Sequence, residues 1–331
     1  MSIIGKIRKI NKQINMAKAY DTPLKTMSTW AIFLDYIVSH YRYGVSFTKY
    51  EQYEFYRLNN KGKESFVGER YGEEIYNICN PASARSITGD KSEFNKRFAA
   101  FLHRRFLDAE NASFEEFCDF VNSVDKYISK PFYGASGKGI EIIINDGSLP
   151  LEKLYQQYKS EKCTLEEVVR QHSEMAALHP ESVNTMRIAT ILHDDVYIMG
   201  AALRIGTGKE VVDNFHKHGI VACIDIETGI VKSTGVNFEH QRFIIHPDTG
   251  KQIVGFVIPN WEAVVATVKK AARALPEMKY VGWDVAIDYA GNVLLIEGNS
   301  IPDYDVLQIA SQEGLYYKYK PLIDKIQAEK K

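Results

Sequence analysis

Two acidic side chains and one amide side chain near the end of the sequence form a set that could bind a divalent cation. They lie in the segments VGWDVAID and NVLLIEGN, which the apolar pattern predicts as two strands joined by a YAG turn. Side chains alternate along a strand, so Asp284 is expected opposite the apolar face of the first strand. Glu297 and Asn299 share a face of the second strand, and a hairpin would bring that face beside Asp284. Such oxygen ligands suit Mg²⁺ that carries substrate phosphates; the alternative is a solvated hairpin edge with ordinary surface acids.

The segment SKPFYGASGKGIEIII, residues 129–144, sets glycines and lysines directly before a strand. Gly134, Gly137 and Gly139 with Lys138 predict a backbone that lies against phosphate, because glycine lets N–H groups turn toward an anion. The spacing matches neither GxxxxGKS/T nor GxGxxG at the start of a helix, so neither a P-loop nor a dinucleotide fold is indicated. A flexible hairpin connection is the alternative interpretation.

Two arginines interrupt strands that are otherwise apolar or small. Arg187 lies in NTMRIAT and Arg204 in AALRIG. Burying an unpaired charge is strongly unfavourable, so each guanidinium needs an anionic partner. That partner is either an internal carboxylate or an anionic substrate.

Composition excludes several classes of protein. The 331 residues are 45% hydrophobic and 25% charged with a net charge of −1, which is ordinary for a globular chain and gives no electrostatic reason to bind nucleic acid. The four cysteines form no CxxC pair, which argues against a zinc site or a disulfide framework and fits a reducing cytoplasm. No apolar run approaches the ~20 residues of a membrane span. The basic, amphipathic N-terminus predicts a solvated helix packed on its own protein, with weak membrane-surface contact as the alternative.

The pattern along the chain predicts an α+β protein with antiparallel sheets. A Tyr-, Lys- and Glu-rich, mainly helical region comes first and carries no chemical motif. Helices are predicted over residues 90–107 and 113–124, and strands dominate from residue 183. A further helix is predicted to follow Asn260 as its N-cap.

The order of these motifs resembles that of the ATP-grasp superfamily over residues 85–305. Lys91 in GDKSEF and Lys130 in SKPFYG precede the glycine loop, which is followed by the acidic segment LEEVV, the arginines and the final D…ExN. The phrases HPESVNTMRIAT, VDNFHKHGIVACIDIETG, HPDTG and PDYDVLQ are similar to those of the sugar-transfer-associated subgroup, related to α-L-glutamate ligases. The resemblance implies an α+β ATP-grasp fold, in which two subdomains grip nucleotide between antiparallel sheets, with a helical region in front. The implied divisions are residues 1–80, 81–170 and 171–331.

The resemblance also implies roles for particular residues. Those that would bind the nucleotide are Lys91, Lys130, Gly134, Ser136, Gly137, Lys138, Gly139, Glu167, Val169 and Glu174. Lys96 is a rival to Lys91 for the first phosphate, and either lysine could instead be a solvated surface residue. Glu167 and Glu174 could equally face solvent on a helix.

On the catalytic side, the resemblance assigns Arg187, Arg204 and Asn214 to the transferred phosphate and Asp284, Glu297 and Asn299 to the metal. Two Mg²⁺ ions are expected, with Mn²⁺ as a substitute. The family more often has Gly-Gly where this chain has His218-Gly219, so this chain departs from the family pattern in that acceptor-side loop. His216 and His246 are candidate acceptor-pocket groups, although a lone histidine is more often a structural hydrogen-bonding residue.

The implied activity is ATP-dependent carboxylate–amine ligation through an acyl phosphate, in the cytoplasm. The subgroup name points to surface-polysaccharide assembly, with a sugar acid and an amino acid as the small-molecule substrates. Two alternatives stay open: a kinase that phosphorylates a hydroxyl, and a nucleotide-binding scaffold in glycan assembly. The first 80 residues are expected to pack as a helical cap on the catalytic body.

Overall fold

The computed structural model describes residues 3–134, 139–208, 215 and 219–330. Its helices are α1 Ile3–Ala17, α2 Thr29–Tyr43, α3 Phe47–Gln52, α4 Asn60–Glu64, α5 Glu69–Cys79, α6 Ser86–Gly89, α7 Lys91–Arg97, α8 Phe114–Asn122, α9 Leu151–Glu161, α10 Ser173–Leu178, α11 Trp261–Arg273, α12 Val306–Ile309 and α13 Tyr316–Ala328. Its strands are β1 Phe106–Asp108, β2 Lys126–Pro131, β3 Glu141–Ile144, β4 Cys163–Glu167, β5 Thr185–Leu192, β6 Val196–Ile205, β7 Ile220–Ile224, β8 Gly235–Val236, β9 Arg242–Phe243, β10 Tyr280–Ile287 and β11 Val293–Asn299.

Two antiparallel sheets carry the fold. The smaller sheet has the order β1-β4-β2-β3, and α8 and α9 pack on it around an aromatic cluster that includes Phe117, Tyr127 and Tyr158. The larger sheet has the order β11-β10-β5-β6-β7-β8-β9. Every pairing with a described register is antiparallel, which confirms the predicted α+β class.

Both faces of the larger sheet are covered, which explains why its central strands are apolar in nearly every position. On one face, alternate residues of β10 and β5 pack with α11; Val281, Trp283 and Val285 belong to this core. On the other face, Tyr280 and Ala189 pack with α5, α12 and α13. All eight residues of β10 are buried, so any polar side chain there must find its partner within the protein.

Residues 3–80 fold mainly as helices around an aromatic core. Tyr36, Phe47, Tyr50 and Phe55 contact one another at ring-centroid distances of 5.2 to 6.3 Å. The same core includes Val221 of β7 and Val236 of β8, so these helices pack directly on the outer strands of the larger sheet. This agrees with the expected helical cap.

Two sequence predictions about helices need correction. The helix predicted over 90–107 ends at Arg97, and Phe106–Asp108 is instead a strand paired with Thr164–Glu166 of β4. Tertiary pairing therefore overrides the helical pattern of this segment. Asn260 does precede α11, but with a φ of +50° its side chain makes no cap; its amide donates to the carbonyl of Gly291 at 2.9 Å.

None of the described helices is long and apolar enough to cross a membrane.

Candidate nucleotide and metal site

The acidic pair predicted from the final hairpin is adjacent in the structure. Asp284 of β10 stands directly opposite Glu297 of β11. This alignment depends on a register shift after Asp284, where Ile296 is left without a partner. Without that bulge, alternation from Leu295 would turn Glu297 toward the α11 core; with it, Glu297 shares the face of Asp284.

Both predicted catalytic arginines bind Asp284. Arg187 of β5, opposite Asp284 in register, donates from Nη2 to Oδ2 at 3.0 Å and from Nε to Oδ1 at 2.5 Å. Arg204 of β6 donates from Nη1 to Oδ2 at 2.8 Å. The internal carboxylate considered as an alternative partner is thus present, and the phosphate roles of the two arginines remain predictions.

Burial and the two arginines act in opposite directions on Asp284. Burial in the sheet would raise the pKa of its carboxyl group, but Arg187 and then Arg204 overcome this effect and hold the pKa well below the ordinary range. Asp284 is therefore a carboxylate at neutral pH, and it already accepts hydrogen bonds from the guanidinium groups of Arg187 and Arg204.

Glu297 is in the opposite electrostatic situation. Burial and the neighbouring charge of Asp284 raise the pKa of its carboxyl group. Asn299 donates from Nδ2 to Oε1 of Glu297 at 3.3 Å, which leaves the amide oxygen of Asn299 free to act as a further donor atom toward a cation.

This donor set fits a hard divalent cation. Two carboxyl groups that repel each other, with a third oxygen beside them, are stabilised when a cation lies between them. Across the residues that the structure describes, no three His, Cys, Asp or Glu side chains cluster closely enough to hold a metal. A cation here would therefore depend on Asn299 as well as Asp284 and Glu297, and on ligands that arrive with a substrate.

Lys130 of β2 belongs to a second buried charge cluster. Its Nζ donates to Oε2 of Glu166 at 2.7 Å, and Arg104 donates from Nε to the same atom at 2.9 Å. Asn95 donates to the other oxygen at 3.0 Å. Burial opposes ionisation of Glu166, but Arg104 and Lys130 lower its pKa well below the ordinary range.

We expect Glu166→Gln to destabilise the fold by about 3 to 5 kcal/mol, because the substitution leaves two buried cations without a counter-charge. The side chains of Glu166, Arg104 and Lys130 are 3%, 4% and 12% exposed, so water cannot replace the lost carboxylate. Urea unfolding at pH 7 measures the change. Glu93→Gln is the matched control, since Glu93 is 61% exposed and should contribute less than about 1 kcal/mol. Equal stability of the two variants would contradict a buried network.

Lys91 and Lys96, the two candidates for the first phosphate lysine, have different surroundings in the structure. Burial lowers the pKa of the Lys91 ammonium, while the nearby charge of Glu297 raises it and that of Lys130 lowers it. Lys91 is therefore close to both charge clusters, and its Nζ donates to the carbonyl of Gly134 at 3.0 Å. Lys96 instead pairs with Asp108 at 2.8 Å on the surface.

The glycine segment is described only at its ends. Gly139 has a φ of +72°, and a Cβ there would lie 3.0 Å from Pro131 Cγ, so a side chain would be strained at this position. Gly134 accepts the bond from Lys91. Ser136, Gly137 and Lys138 lie outside the described residues, and their predicted phosphate contacts remain predictions.

Three of the residues predicted to bind the nucleotide, Glu167, Val169 and Glu174, are apart from both charge clusters in their described contacts. The carboxylate of Glu167, at the end of β4, accepts from the backbone N–H of Arg105 at 3.2 Å. Val169 is half-buried in the link between β4 and α10. Glu174 is exposed on α10 and lines a cavity of about 340 Å³ together with Lys251 and Phe256. The roles of these residues stay predictions.

His246 has a structural explanation that its sequence context did not provide. It is buried, its Nε2 lies 2.9 Å from the carbonyl oxygen of Gly206, and its Nδ1 accepts from the backbone N–H of Asp248 at 3.3 Å. Both ring nitrogens are thus used within the protein. Asn214, His216 and His218 lie outside the described residues.

Sequence reasoning missed Glu166, Arg104 and the acidic residues after β11. Strand alternation could have indicated Glu166: Leu165 packs in the core of the smaller sheet, so its neighbour faces the other side. Asp303 lies 3.7 Å from Arg187 Nη1, and the neighbouring Asp305 forms an ion pair with Lys49 of α3. The helical cap therefore reaches the charged residues beside Asp284.

The family model for sugar-transfer-associated ATP-grasp proteins matches residues 73–323, which is most of the chain. The chain belongs to this ATP-grasp family. Its two antiparallel sheets, with the helical region in front, are accordingly the ATP-grasp fold predicted from the sequence. No curated protein sequence matches the chain.

Several solved structures are distantly similar to this ATP-grasp chain. The ADP complex of purK, an N5-carboxyaminoimidazole ribonucleotide synthetase, aligns with 66% of it at 11% identity and a TM-score of 0.42; the chain spans 46% of that protein. The ATP-grasp ligase PsnB, complexed with minimal precursor, Mg and ADP, aligns with 82% of this chain at 15% identity and a TM-score of 0.46. The alignment covers 67% of PsnB. D-alanyl-alanine synthetase A from Vibrio cholerae aligns with 76% of this chain at 9% identity and a TM-score of 0.45. The alignment covers 68% of the synthetase.

Proposed function

We propose that this protein is an ATP- and Mg²⁺-dependent carboxylate–amine ligase. The observation that supports this most is that the two charge clusters are adjacent: Arg104, which binds Glu166 in one cluster, also donates to the carbonyl of Leu295 at 2.6 Å in β11, the strand that carries Glu297. One cluster holds carboxyl oxygens for a cation, and the other holds the ammonium group of Lys130 for phosphate. A nucleotide triphosphate with its cation is the substrate class that needs both.

Each group would contribute electrostatics and positioning. Lys130 and Lys91 would bind phosphate oxygens of the nucleotide, and Arg187 and Arg204 would stabilise the charge on the transferred γ-phosphoryl group. Asp284, Glu297 and Asn299 would hold Mg²⁺, which would supply positive charge against the negative charge of the nucleotide phosphates. Asn214 and the glycine segment would complete the phosphate contacts.

The proposed reaction has two steps. A carboxylate oxygen of the substrate attacks the γ-phosphorus of ATP, and ADP leaves, which gives an acyl phosphate. An amine then attacks the acyl carbon, phosphate leaves, and loss of the amine proton gives the amide. Positioning of the reactants accounts for most of the acceleration expected from such a site. We further propose two Mg²⁺ ions, for which Mn²⁺ substitutes, and a sugar acid with an amino acid as the substrate pair in the cytoplasm.

Thermal unfolding with ATP, with and without Mg²⁺, tests the nucleotide site directly. A ligand at 100 times its Kd stabilises the native state by about 2.7 kcal/mol, so a rise in Tm should appear with Mg²⁺ and be reversed by EDTA. No rise with any nucleotide would contradict the site and favour a scaffold.

We expect Lys130→Met to weaken ATP binding at least tenfold, because the site loses one phosphate-binding charge, about 1.4 kcal/mol or more. Titration calorimetry with ATP and Mg²⁺ measures the affinity. Lys153→Met is the control, since Lys153 is an exposed lysine of α9. Unchanged ATP affinity of Lys130→Met, with a fold verified by circular dichroism, would refute the phosphate role.

Hydroxylamine distinguishes the ligase from a kinase. An acyl phosphate reacts with hydroxylamine to give a hydroxamate, whereas a phosphate ester of a hydroxyl group does not. We expect hydroxamate and ADP to form in equal amounts when carboxylate substrates, including uronic acids, are screened with ATP and Mg²⁺. ADP formation with a phosphorylated product and no hydroxamate would identify a kinase instead.

A further inference from the structure

The outward face of α2 is apolar, which is unusual for a surface helix. Ile32, Tyr36 and Ser39 turn into the aromatic core, as an amphipathic helix requires. On the opposite face, at spacings of four, four and three residues, are Trp30, Leu34, Val38 and Tyr41, which are 73%, 60%, 56% and 71% exposed. These four residues, called here the α2 stripe, run almost the whole length of the helix.

The helix that packs on α2 is basic on its outer side. α1 buries Ile14 and Ala17 and exposes four cations, Lys6, Arg8, Lys9 and Lys12. It contains no acidic residue. Residues 3–43 together carry seven Lys or Arg and two Asp, a net charge of +5, although the whole chain has −1. Positive charge is therefore concentrated where large apolar side chains are exposed.

We propose that α1 and α2 dock this protein on the surface of an anionic lipid bilayer. The α2 stripe would enter the boundary between headgroups and acyl chains, with Trp30 and Tyr41 as the amphipathic side chains that prefer this boundary. The cations of α1 would bind the anionic headgroups, an attraction that falls with ionic strength. Neither helix needs to cross the bilayer for this attachment.

The positive charge of residues 3–43 favours a lipid bilayer over a second copy of this chain as the partner of the α2 stripe. A symmetric contact through the α2 stripe would bring two strongly positive α1–α2 units together, which like-charge repulsion disfavours. An anionic lipid surface supplies both the apolar layer and the negative charge. The proposal is also independent of the ligase chemistry, because it uses no residue of the nucleotide or metal site.

Tryptophan fluorescence measures directly whether the α2 stripe contacts lipid. The chain has three tryptophans, and Trp261 and Trp283 are 8% and 0% exposed, so Trp30 is the one that a lipid surface can reach. Full-length protein is titrated with vesicles of phosphatidylcholine alone and with 30 mol% phosphatidylglycerol. We expect a blue shift of the emission with the anionic vesicles, which is absent in Trp30→Phe and is reduced by high salt.

Leu34→Glu should weaken binding to the anionic vesicles at least tenfold in a sedimentation assay. Ile144→Glu is the matched control, since Ile144 is a 71% exposed apolar residue of the smaller sheet, and it should bind as wild type does. Urea midpoints equal to wild type show that both variants fold. The proposal is overturned if anionic vesicles cause no shift, if Leu34→Glu binds as tightly as wild type, or if the shift occurs without lipid as the protein dimerises in ultracentrifugation.

Discussion

Replacing Glu297 with glutamine is expected to lower nucleotide-dependent turnover by roughly 10³-fold, the loss typical for a group that stabilises transferred charge. Glutamine keeps the shape and hydrogen-bonding capacity of the side chain but lacks the negative charge that would hold Mg²⁺. Formation of ADP in the presence of the carboxylate and amine substrates measures the effect. The Mg²⁺-dependent rise in Tm with ATP should be lost as well.

The Tm of Glu297→Gln without ligand shows whether the loss of turnover comes from misfolding. The pKa of Glu297 is raised by burial and by Asp284, so the ionised side chain is a destabilising neighbour in the absence of a cation. Glu297→Gln should therefore unfold at the same Tm as wild type or higher when no ligand is present. Glu262→Gln, on the exposed side of α11, is the control for both assays. Full activity of Glu297→Gln would remove Glu297 from the metal site.

Five buried tyrosines should together remove about 7 kcal/mol from the free energy of unfolding as the pH is raised to 11. Among the described tyrosines that are almost completely buried, five have hydroxyl groups whose pKa is raised far above 10, with burial as the first cause: Tyr50, Tyr53, Tyr158, Tyr280 and Tyr319. In the unfolded chain they titrate near pH 10, so above that pH the folded state holds more protons and stability falls as pH rises. Each tyrosine contributes about 1.4 kcal/mol at pH 11.

Lys49 acts in the opposite direction at lower pH. Burial lowers the pKa of its ammonium group to about 8, so the unfolded state holds more protons between pH 8 and 10.5, and this contribution to stability rises across that range. Urea unfolding from pH 7 to 11, with absorbance at 295 nm for tyrosinate, measures both effects. Lys49→Met should remove the early rise and keep the later loss. Normal titration of all tyrosines near pH 10 in a folded protein would contradict the buried aromatic core.

The sequence was most informative where local rules and the fold agree. Alternation in VGWDVAID correctly separated Trp283 from Asp284, and the order of motifs alone identified the ATP-grasp family. It was least informative about partners from distant segments. Nothing in the spacing of Glu166 and Arg104 shows that they meet, because β1 and the residues before it reach β4 only through a pairing made across 55 intervening residues or more.

The helix predicted over residues 90–107 was too long for the same reason, because contacts with a distant segment decide where it ends. Residues 98–107 have a helical pattern, yet only a short 3-10 helix forms at Ala99–Phe101, and Phe106–Asp108 pairs as a strand with β4. The two arginines show a third limit. The sequence required an anion for each of them, but only the sheet register revealed that Asp284 serves both.

The bulge at Ile296 restricts how this hairpin can vary in related proteins. The residues between β10 and β11 form a surface turn, and a change of its length there would leave the alignment of Asp284 with Glu297 intact. Removing one residue within β11 itself would turn Glu297 into the α11 core while the D…ExN letters stayed almost unchanged. Homologues with insertions in the turn should therefore keep the acidic pair, whereas those with a shortened final strand should have lost it even where both acids are still present in the sequence.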